Sequence, residues 1–142
     1  MPCADKLTEP AFTNLNKSTG DLRKATFELG GFSGEVFLTT AVEVSDDNCH
    51  HKSLITVSKI SSDLLSLNIE SGCEHIKKAA ASLGQNLNRS AMTGTFDHNI
   101  VYEKVAETMP GCVVCAVPCA IVKASWAELG MNLRKGAHIQ FM

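Results

Sequence analysis

The sequence predicts an α+β fold, in which an antiparallel β-meander is covered on one face by about three helices and followed by a short C-terminal strand. Apolar residues alternate with polar ones in the first half of the chain, up to residue 69, and recur with helical spacing between residues 72 and 130. Because the strands come first and the helices follow, an α+β layout is favoured over a parallel α/β sheet. The 142 residues suffice for one domain, which we place at residues 21–142, behind a loose N-terminal arm of residues 1–20.

Several segments have the composition and the alternation of β-strands, and turn-forming residues separate them. The predicted strands are residues 22–29, 35–44, 54–60, 64–69 and 137–141. A glycine-rich turn over residues 30–34 follows the first of them. In the last, Ile139 and Phe141 share a face, which predicts a half-buried strand.

Start and stop signals mark the helices. Ser71 and Glu74 have the spacing of a capping box, which predicts a helix over residues 72–83 with Cys73 in its first turn. Residues 84–94 are polar and are expected to be irregular. Asp97 is the predicted cap of a helix over residues 98–109.

The last predicted helix has a signal at each end. Pro118 suits the first helical turn, because its fixed φ fits a helix and its missing N–H would be unpaired there. Gly130 is a natural residue for the C-terminal stop. A helix between these two residues therefore follows a loop rich in cysteine.

Composition excludes some classes of function. The formal net charge is −2, without a basic stripe, so nucleic-acid binding is disfavoured. Residues 113–122, the longest strongly apolar run, are about half the length of a membrane-spanning helix. Residues 1–20 lack the apolar core of a signal peptide, and we expect a cytoplasmic protein without a membrane partner. In that compartment six cysteines favour metal binding or thiol chemistry over disulfides.

The cysteines predict the functional site. Cys112, Cys115 and Cys119 lie within eight residues around the start of the last helix, and Cys73 lies at the start of the first. Free N–H groups and the helix dipole are expected to favour a thiolate at such positions. If these starts share one edge of the domain, the four thiols would bind Zn²⁺ or an iron–sulfur cluster, with the C-x-x-C pair of Cys112 and Cys115 at its centre.

Other residues are weaker ligand candidates. Cys49, His50 and His51 are consecutive, but adjacent side chains rarely face one ion, and we interpret them as part of a solvated hairpin loop. His75 points away from Cys73 on the same helix. Cys3 is most simply an incidental thiol.

Two motifs carry a resemblance to a known family. They are I-E-S-G-C-E-H-I-K, around Cys73, and C-A-V-P-C-A-I-V-K-A, from Cys115. Together with the glycine-rich turn they resemble an uncharacterised family of small cysteine-containing proteins found mainly in anaerobic bacteria and archaea. The resemblance implies three cysteine positions, which fall here on Ser33, Cys73 and Cys115. Serine at the first weakens a three-thiolate site, because a hydroxyl is a poor ligand for a soft metal.

The layout is also similar to that of IscU- and NifU-type iron–sulfur scaffold proteins. These place one cysteine after an early strand, a second at a helix start after a β-meander and a third before a C-terminal helix. The corresponding positions here are again Ser33, Cys73 and Cys115. This resemblance implies an open site that passes a cluster to a protein partner.

The sequence therefore predicts a small metal- or iron–sulfur-binding carrier. Two alternatives stay open, which are a metal-free, homo-oligomeric interaction module with buried cysteines and a C-x-x-C thiol-redox protein. No nucleophile elbow, P-loop, dinucleotide fingerprint or H-E-x-x-H motif is present, so no catalytic residue or enzyme class is predicted.

Overall fold

The structure, a computed structural model, describes the backbone of residues 24–29 and 32–37 and all atoms of residues 39–142. The predicted N-terminal arm, residues 1–20, and Cys3 lie outside the described residues. The described strands are β1 (Lys24–Leu29), β2 (Phe32–Phe37), β3 (Thr40–Asp46), β4 (His51–Lys59), β5 (Leu64–Ser71) and β6 (Asn86–Asn88). The described helices are α1 (Glu74–Leu83), α2 (Arg89–Met92), α3 (Ile100–Thr108) and α4 (Val117–Glu128), with a 3-10 turn at Phe96–His98.

The strands form an antiparallel meander, as predicted. β1 pairs with β2, and β3, β4, β5 and β6 follow one another in a four-stranded antiparallel sheet. The side chains of β4 alternate, so that Ser53, Ile55 and Val57 are buried while their neighbours are not. The buried row belongs to the face that the helices cover, where α4 packs on β3 and β4, α1 packs on β5, and α3 contacts both helices. This arrangement confirms the α+β class.

The core lies between the sheet and these helices. It is formed mainly by Ile55, Val57, Leu65, Leu67, Ile76, Ala79, Leu83, Leu87, Met92, Val101, Met109, Val117, Ile121, Ala124 and Leu129. Within the described residues, no helix is both long enough and apolar enough to span a bilayer.

Two of the helices begin at the same end of the sheet. The β3–β4 turn marks that end, and α1 begins there because Ser71, which pairs with Ser53 near the turn, is the last residue of β5. The far end of α4 is fixed at the opposite end, where the Glu128 carboxylate accepts hydrogen bonds from the Thr40 hydroxyl and the Lys59 N–H. The first turns of α1 and α4 therefore both lie beside the β3–β4 turn.

The ends of α4 confirm the sequence prediction. Pro118 lies in its first turn. At its C-terminus Gly130 has φ 75°, its N–H donates to the Ala127 carbonyl at 3.1 Å, and the Met131 N–H donates to the Trp126 carbonyl at 2.8 Å. This pair of hydrogen bonds is a Schellman motif.

The two predicted N-caps are wrong. Cys73, and not Ser71, is the N-cap residue of α1, and no side chain caps this helix, so the capping box does not form. In α3 the cap is Asn99, whose side-chain oxygen accepts from the Val101 N–H at 3.0 Å. Asp97 instead accepts a hydrogen bond from the Thr95 hydroxyl. Asn99 caps the helix in place of Asp97 because its buried side-chain amide pairs with two backbone groups, whereas the Asp97 carboxylate is exposed.

Three other predictions of secondary structure also need correction. Residues 35–44 are divided between β2 and β3, and residues 84–94 contain β6 and α2 instead of being irregular. Residues 137–141 form no strand, and Ile139 and Phe141 are exposed. Two apolar side chains bury too little surface to offset the entropy of ordering a segment that pairs with no strand among the described residues.

Candidate functional site

The helix-covered face of the sheet becomes polar at the end marked by the β3–β4 turn. Going from Val57 and Ile55 along the same row of β4, the next residues are Ser53 and His51. His51 is paired with Asp46 of β3, and Ser53 is paired with Ser71 of β5. The apolar core therefore ends in a polar layer below the starts of α1 and α4.

Cys49 lies in the turn that joins β3 to β4. The Asp46 side chain accepts from the Asn48 N–H at 2.8 Å, and the Asp46 carbonyl accepts from the His50 N–H at 2.9 Å. His50 takes the left-handed conformation with φ 54° that closes this four-residue turn. These bonds fix the backbone on both sides of Cys49, whose side chain is half-buried.

Cys73 is held by the polar layer. It is buried, with 9% of its surface exposed, and its N–H donates to the Ser71 hydroxyl at 3.1 Å. That hydroxyl also lies 2.8 Å from the Ser53 hydroxyl. A short chain of hydrogen bonds thus connects the sheet to the N-cap of α1.

Cys112 and Cys115 lie in the loop between α3 and α4, which we call the C-x-x-C loop (residues 110–116). Their backbone N–H groups close successive turns with the Met109 and Cys112 carbonyls at 3.0 and 3.1 Å. Both side chains are half-buried against the core, and the Val117 N–H donates to the Cys115 thiol. Val113 and Val114 between them are 90% and 91% exposed. The loop therefore directs its cysteines inward and its valines to solvent.

These four thiols interact electrostatically as one group. Burial raises the pKa of Cys49, and the Asp46 carboxylate and the thiols of Cys73 and Cys112 raise it further. Burial also raises the pKa of Cys115, with smaller contributions from Cys112, Cys73 and Cys49. The thiols of three separate segments, the β3–β4 turn, the start of α1 and the C-x-x-C loop, thus lie near enough to affect one another's pKa.

The expected thiolate at the start of α4 is not found at Cys115. The Val117 N–H does favour the charged form, but burial of the thiol outweighs it and the pKa is raised.

Cys119 is placed differently from the other three predicted ligands. It is exposed on the first turn of α4, and its charge affects Tyr102 of α3, whose pKa is raised first by burial and then by Cys119. It does not contribute to the pKa of Cys49 or of Cys115. Of the four predicted ligands, Cys73 and Cys112 affect the pKa of Cys115, as Cys49 also does, whereas Cys119 contributes instead to the pKa of Tyr102.

Sequence reasoning missed the contribution of the β3–β4 turn. His51 lies beside Gly72, where a Cβ would be only 3.3 Å from the imidazole Nδ1. The available signal was the strand period, since His51 is in phase with Ser53, Ile55 and Val57 and so belongs to the helix-covered face. Pairing of the strand with β5 then brings the turn next to Cys73.

The four thiols do not form a ready-made metal site. Among the residues that the structure describes, no group of three or more His, Cys, Asp or Glu side chains has an arrangement that could hold one. The described cysteines are all free thiols.

Comparison with known proteins gives a family without a function. The model of a family of unknown function (DUF6951) matches residues 40–141, which include β3 to α4 and all four of these thiols. No curated protein and no solved structure matches the chain.

Proposed function

Since the chain belongs to this family of unknown function (DUF6951), we propose from its own residues that it is a small metal- or iron–sulfur-binding protein of the carrier or scaffold kind. Cys73, Cys112 and Cys115 are its proposed thiolate ligands. The proposal is carried by the packing of Cys112 and Cys115 against the core cluster that contains Cys73, with the effect of Cys112 and Cys73 on the pKa of Cys115 beside it. Thiolates are the ligands that Zn²⁺ and iron–sulfur clusters share.

The raised pKa of Cys115 favours metal binding over thiol-redox catalysis. A redox nucleophile needs a thiolate at neutral pH, and burial of this thiol opposes one. A metal ion needs no such preparation, because coordination removes the thiol proton outright. The Val117 N–H would then stabilise the negative charge on the Cys115 sulfur, which metal coordination requires.

Metal binding would require movement of the C-x-x-C loop. Since the thiols do not form a ready-made group, the C-x-x-C loop has to close toward Cys73. This loop has exposed residues at Val113 and Val114 and holds itself by two turn hydrogen bonds, so closure disturbs little of the core. Such a partly open site suits a carrier that loads and releases its metal to a protein partner.

Metal content and its dependence on one ligand test the proposal. Protein purified without oxygen is analysed for zinc, iron and acid-labile sulfide, alongside Cys115→Ser and, as a matched control, the exposed Cys119→Ser. We expect near-stoichiometric metal in the wild type and in Cys119→Ser, and its loss in Cys115→Ser. Iron with sulfide would favour the scaffold resemblance, and zinc would favour a single-ion site.

A metal-free interaction module is the alternative that one observation favours. Cys73 is part of the core cluster, and Cys112 and Cys115 pack against it, as small apolar residues would. If wild-type protein stays metal-free after anaerobic reconstitution, and Cys73→Ser only lowers the free energy of unfolding, this alternative replaces the carrier.

A further inference from the structure

The C-x-x-C loop holds its two cysteines at the ends of one tight turn. The Cys115 N–H donates to the Cys112 carbonyl at 3.1 Å, which closes a turn over the two valines between them. A hydrogen bond between the first and fourth residues of a turn brings their Cα atoms within about 7 Å. Disulfides join residues whose Cα atoms are roughly 4.4 to 6.8 Å apart. The backbone of this turn is therefore compatible with a disulfide between its ends.

The two thiols lie on the inner side of this turn. Cys112 and Cys115 are both half-buried and pack against the core cluster. Val113 and Val114, at the tip of the turn, are 90% and 91% exposed. The Val117 N–H donates to the Cys115 thiol, which fixes that sulfur beside the start of α4. The ends of the turn thus point toward the core while its tip points to solvent.

Cys119, the other cysteine near this loop, is placed differently. It follows Pro118 in the first turn of α4, and its side chain is exposed. Its charge affects Tyr102 of α3, and it does not contribute to the pKa of Cys115. Of the two cysteines on either side of Cys115, Cys112 is therefore the one that the turn offers as a partner.

We propose that Cys112 and Cys115 form a reversible disulfide by thiol–disulfide exchange with a low-molecular-weight disulfide of the glutathione kind. One protein thiolate attacks a sulfur of the reagent and expels its other half as a thiolate. The second protein thiolate then attacks the mixed disulfide and expels the remaining half. Overall, one S–S bond replaces two S–H bonds of the protein, and the reagent is reduced to two thiols that take up the two protons.

The shortness of the closed ring makes this disulfide easy to reduce. In the chain-entropy model, the stability that a disulfide adds grows with the length of the loop that it closes. The loop closed here is a single turn that is already hydrogen-bonded in the reduced protein, so oxidation adds little stability. The exposed tip at Val113 and Val114 leaves the turn open to a small reagent. Both features favour a bond that follows the surrounding thiol pool over a permanent structural one.

This exchange does not require the standing thiolate that a redox catalyst needs. Burial raises the pKa of Cys115, which slows attack by that sulfur but leaves an equilibrium between the dithiol and the disulfide. The inference goes beyond the proposed function and does not rest on it, since the exchange takes place in metal-free protein. In a protein that carries metal, the same bond would remove two of the three proposed ligands.

Equilibration with glutathione tests the pair. Reduced, metal-free protein is incubated under argon with mixtures of oxidised and reduced glutathione, quenched with acid, alkylated and analysed by mass spectrometry. We expect the wild type and the matched control Cys119→Ser each to lose two alkylated thiols, and added dithiothreitol to restore both. Cys112→Ser and Cys115→Ser should instead retain one bound glutathione, because the second step has no partner. Circular dichroism of each variant checks that the fold is intact.

The position of the bond is determined on the oxidised wild type. Tandem mass spectrometry of its peptides should show Cys112 joined to Cys115, with Cys119 alkylated. A disulfide that contains any other cysteine would overturn the proposal. So would a wild type that keeps all its thiols in oxidised glutathione alone, or one that stops at the mixed disulfide. Metal content is measured separately on the reduced protein, so its absence would refute the proposed function and leave this disulfide standing.

Discussion

The buried amide of Asn99 connects two helices that are seven residues apart in sequence. Its side-chain nitrogen donates to the Met92 carbonyl at 2.9 Å, and its side-chain oxygen accepts from the Val101 N–H at 3.0 Å. The indole N–H of Trp126 donates to the same Met92 carbonyl at 2.7 Å. Asn99 thus pairs with the Met92 carbonyl at the end of α2 and with the Val101 N–H at the beginning of α3. Trp126 of α4 donates to the same Met92 carbonyl.

We expect Asn99→Ala to lower the free energy of unfolding by about 2–3 kcal/mol, because it removes a helix cap and leaves a buried backbone N–H without a partner. Asp97→Ala is the matched control, since Asp97 is the cap that the sequence suggests but it is exposed, where it accepts a hydrogen bond from Thr95 and lies 3.6 Å from the His98 imidazole. It should change stability by less than about 0.5 kcal/mol. Urea denaturation of both variants checks the prediction, and equal losses would contradict it.

Helix α4 shows which elements a sequence can specify by itself. Its start at Pro118 and its stop at Gly130 depend on backbone geometry that each residue imposes locally, so both were predictable. The start of α1 was not, because the Ser71 hydroxyl contacts Ser53 of the neighbouring strand and the Cys73 N–H. The spacing of a capping box cannot reveal that competing partner.

Gly130→Ala tests the C-terminal stop of α4. An alanine at φ 75° is strained, and we expect the variant to lose about 1–2 kcal/mol of stability. Gly136→Ala is the control, since nothing lies within 4 Å of an added Cβ and its φ is not in the left-handed region. Thermal unfolding should show a lower midpoint for Gly130→Ala only. Equal midpoints would show that the Schellman motif contributes little.

The thiol site belongs to the scale of the whole molecule, because its parts are distant in sequence. Position at a helix start predicted thiolates at Cys73 and Cys115, whereas the structure has Cys73 buried and Cys115 half-buried with a raised pKa. Cys49 could not be assigned in this way, since its proximity to Cys73 depends on the pairing of β4 with β5. Likewise β6 exists only because Leu87 pairs with Leu65 and fills the core.

Burial of these thiols makes stability depend on pH in the alkaline range. The pKa of Cys115 in the folded protein is raised above its ordinary value of 9.0, so the unfolded chain ionises first as the pH rises. Cys115 therefore makes its full contribution to the free energy of unfolding below pH 9.0. This contribution is lost as the pH rises through the pKa that Cys115 has in the folded protein. Cys49 acts in the same direction.

We therefore expect urea denaturation of reduced, metal-free protein to show a smaller stability difference between wild type and Cys115→Ser at pH 10 than at pH 8. Serine does not titrate, so the variant lacks this contribution. Cys119→Ser should follow the wild type at both values. A difference that grows with pH would mean that Cys115 is a stabilised thiolate in the folded protein.

The C-x-x-C loop is closed by two turn hydrogen bonds, and its local opening is expected to have a different rate from the unfolding of the whole domain. Residues 110–115 precede Ala116, the N-cap of α4, and we expect them to open locally without breaking the sheet or α4, whose far end is fixed by Glu128. Entry and exit at the thiols would then follow the frequency of this local opening and not the slow, cooperative unfolding of the domain. A change that weakens the fold elsewhere, even severely, would shorten the lifetime of the protein in a cell while leaving the residence time of whatever the thiols hold unaltered.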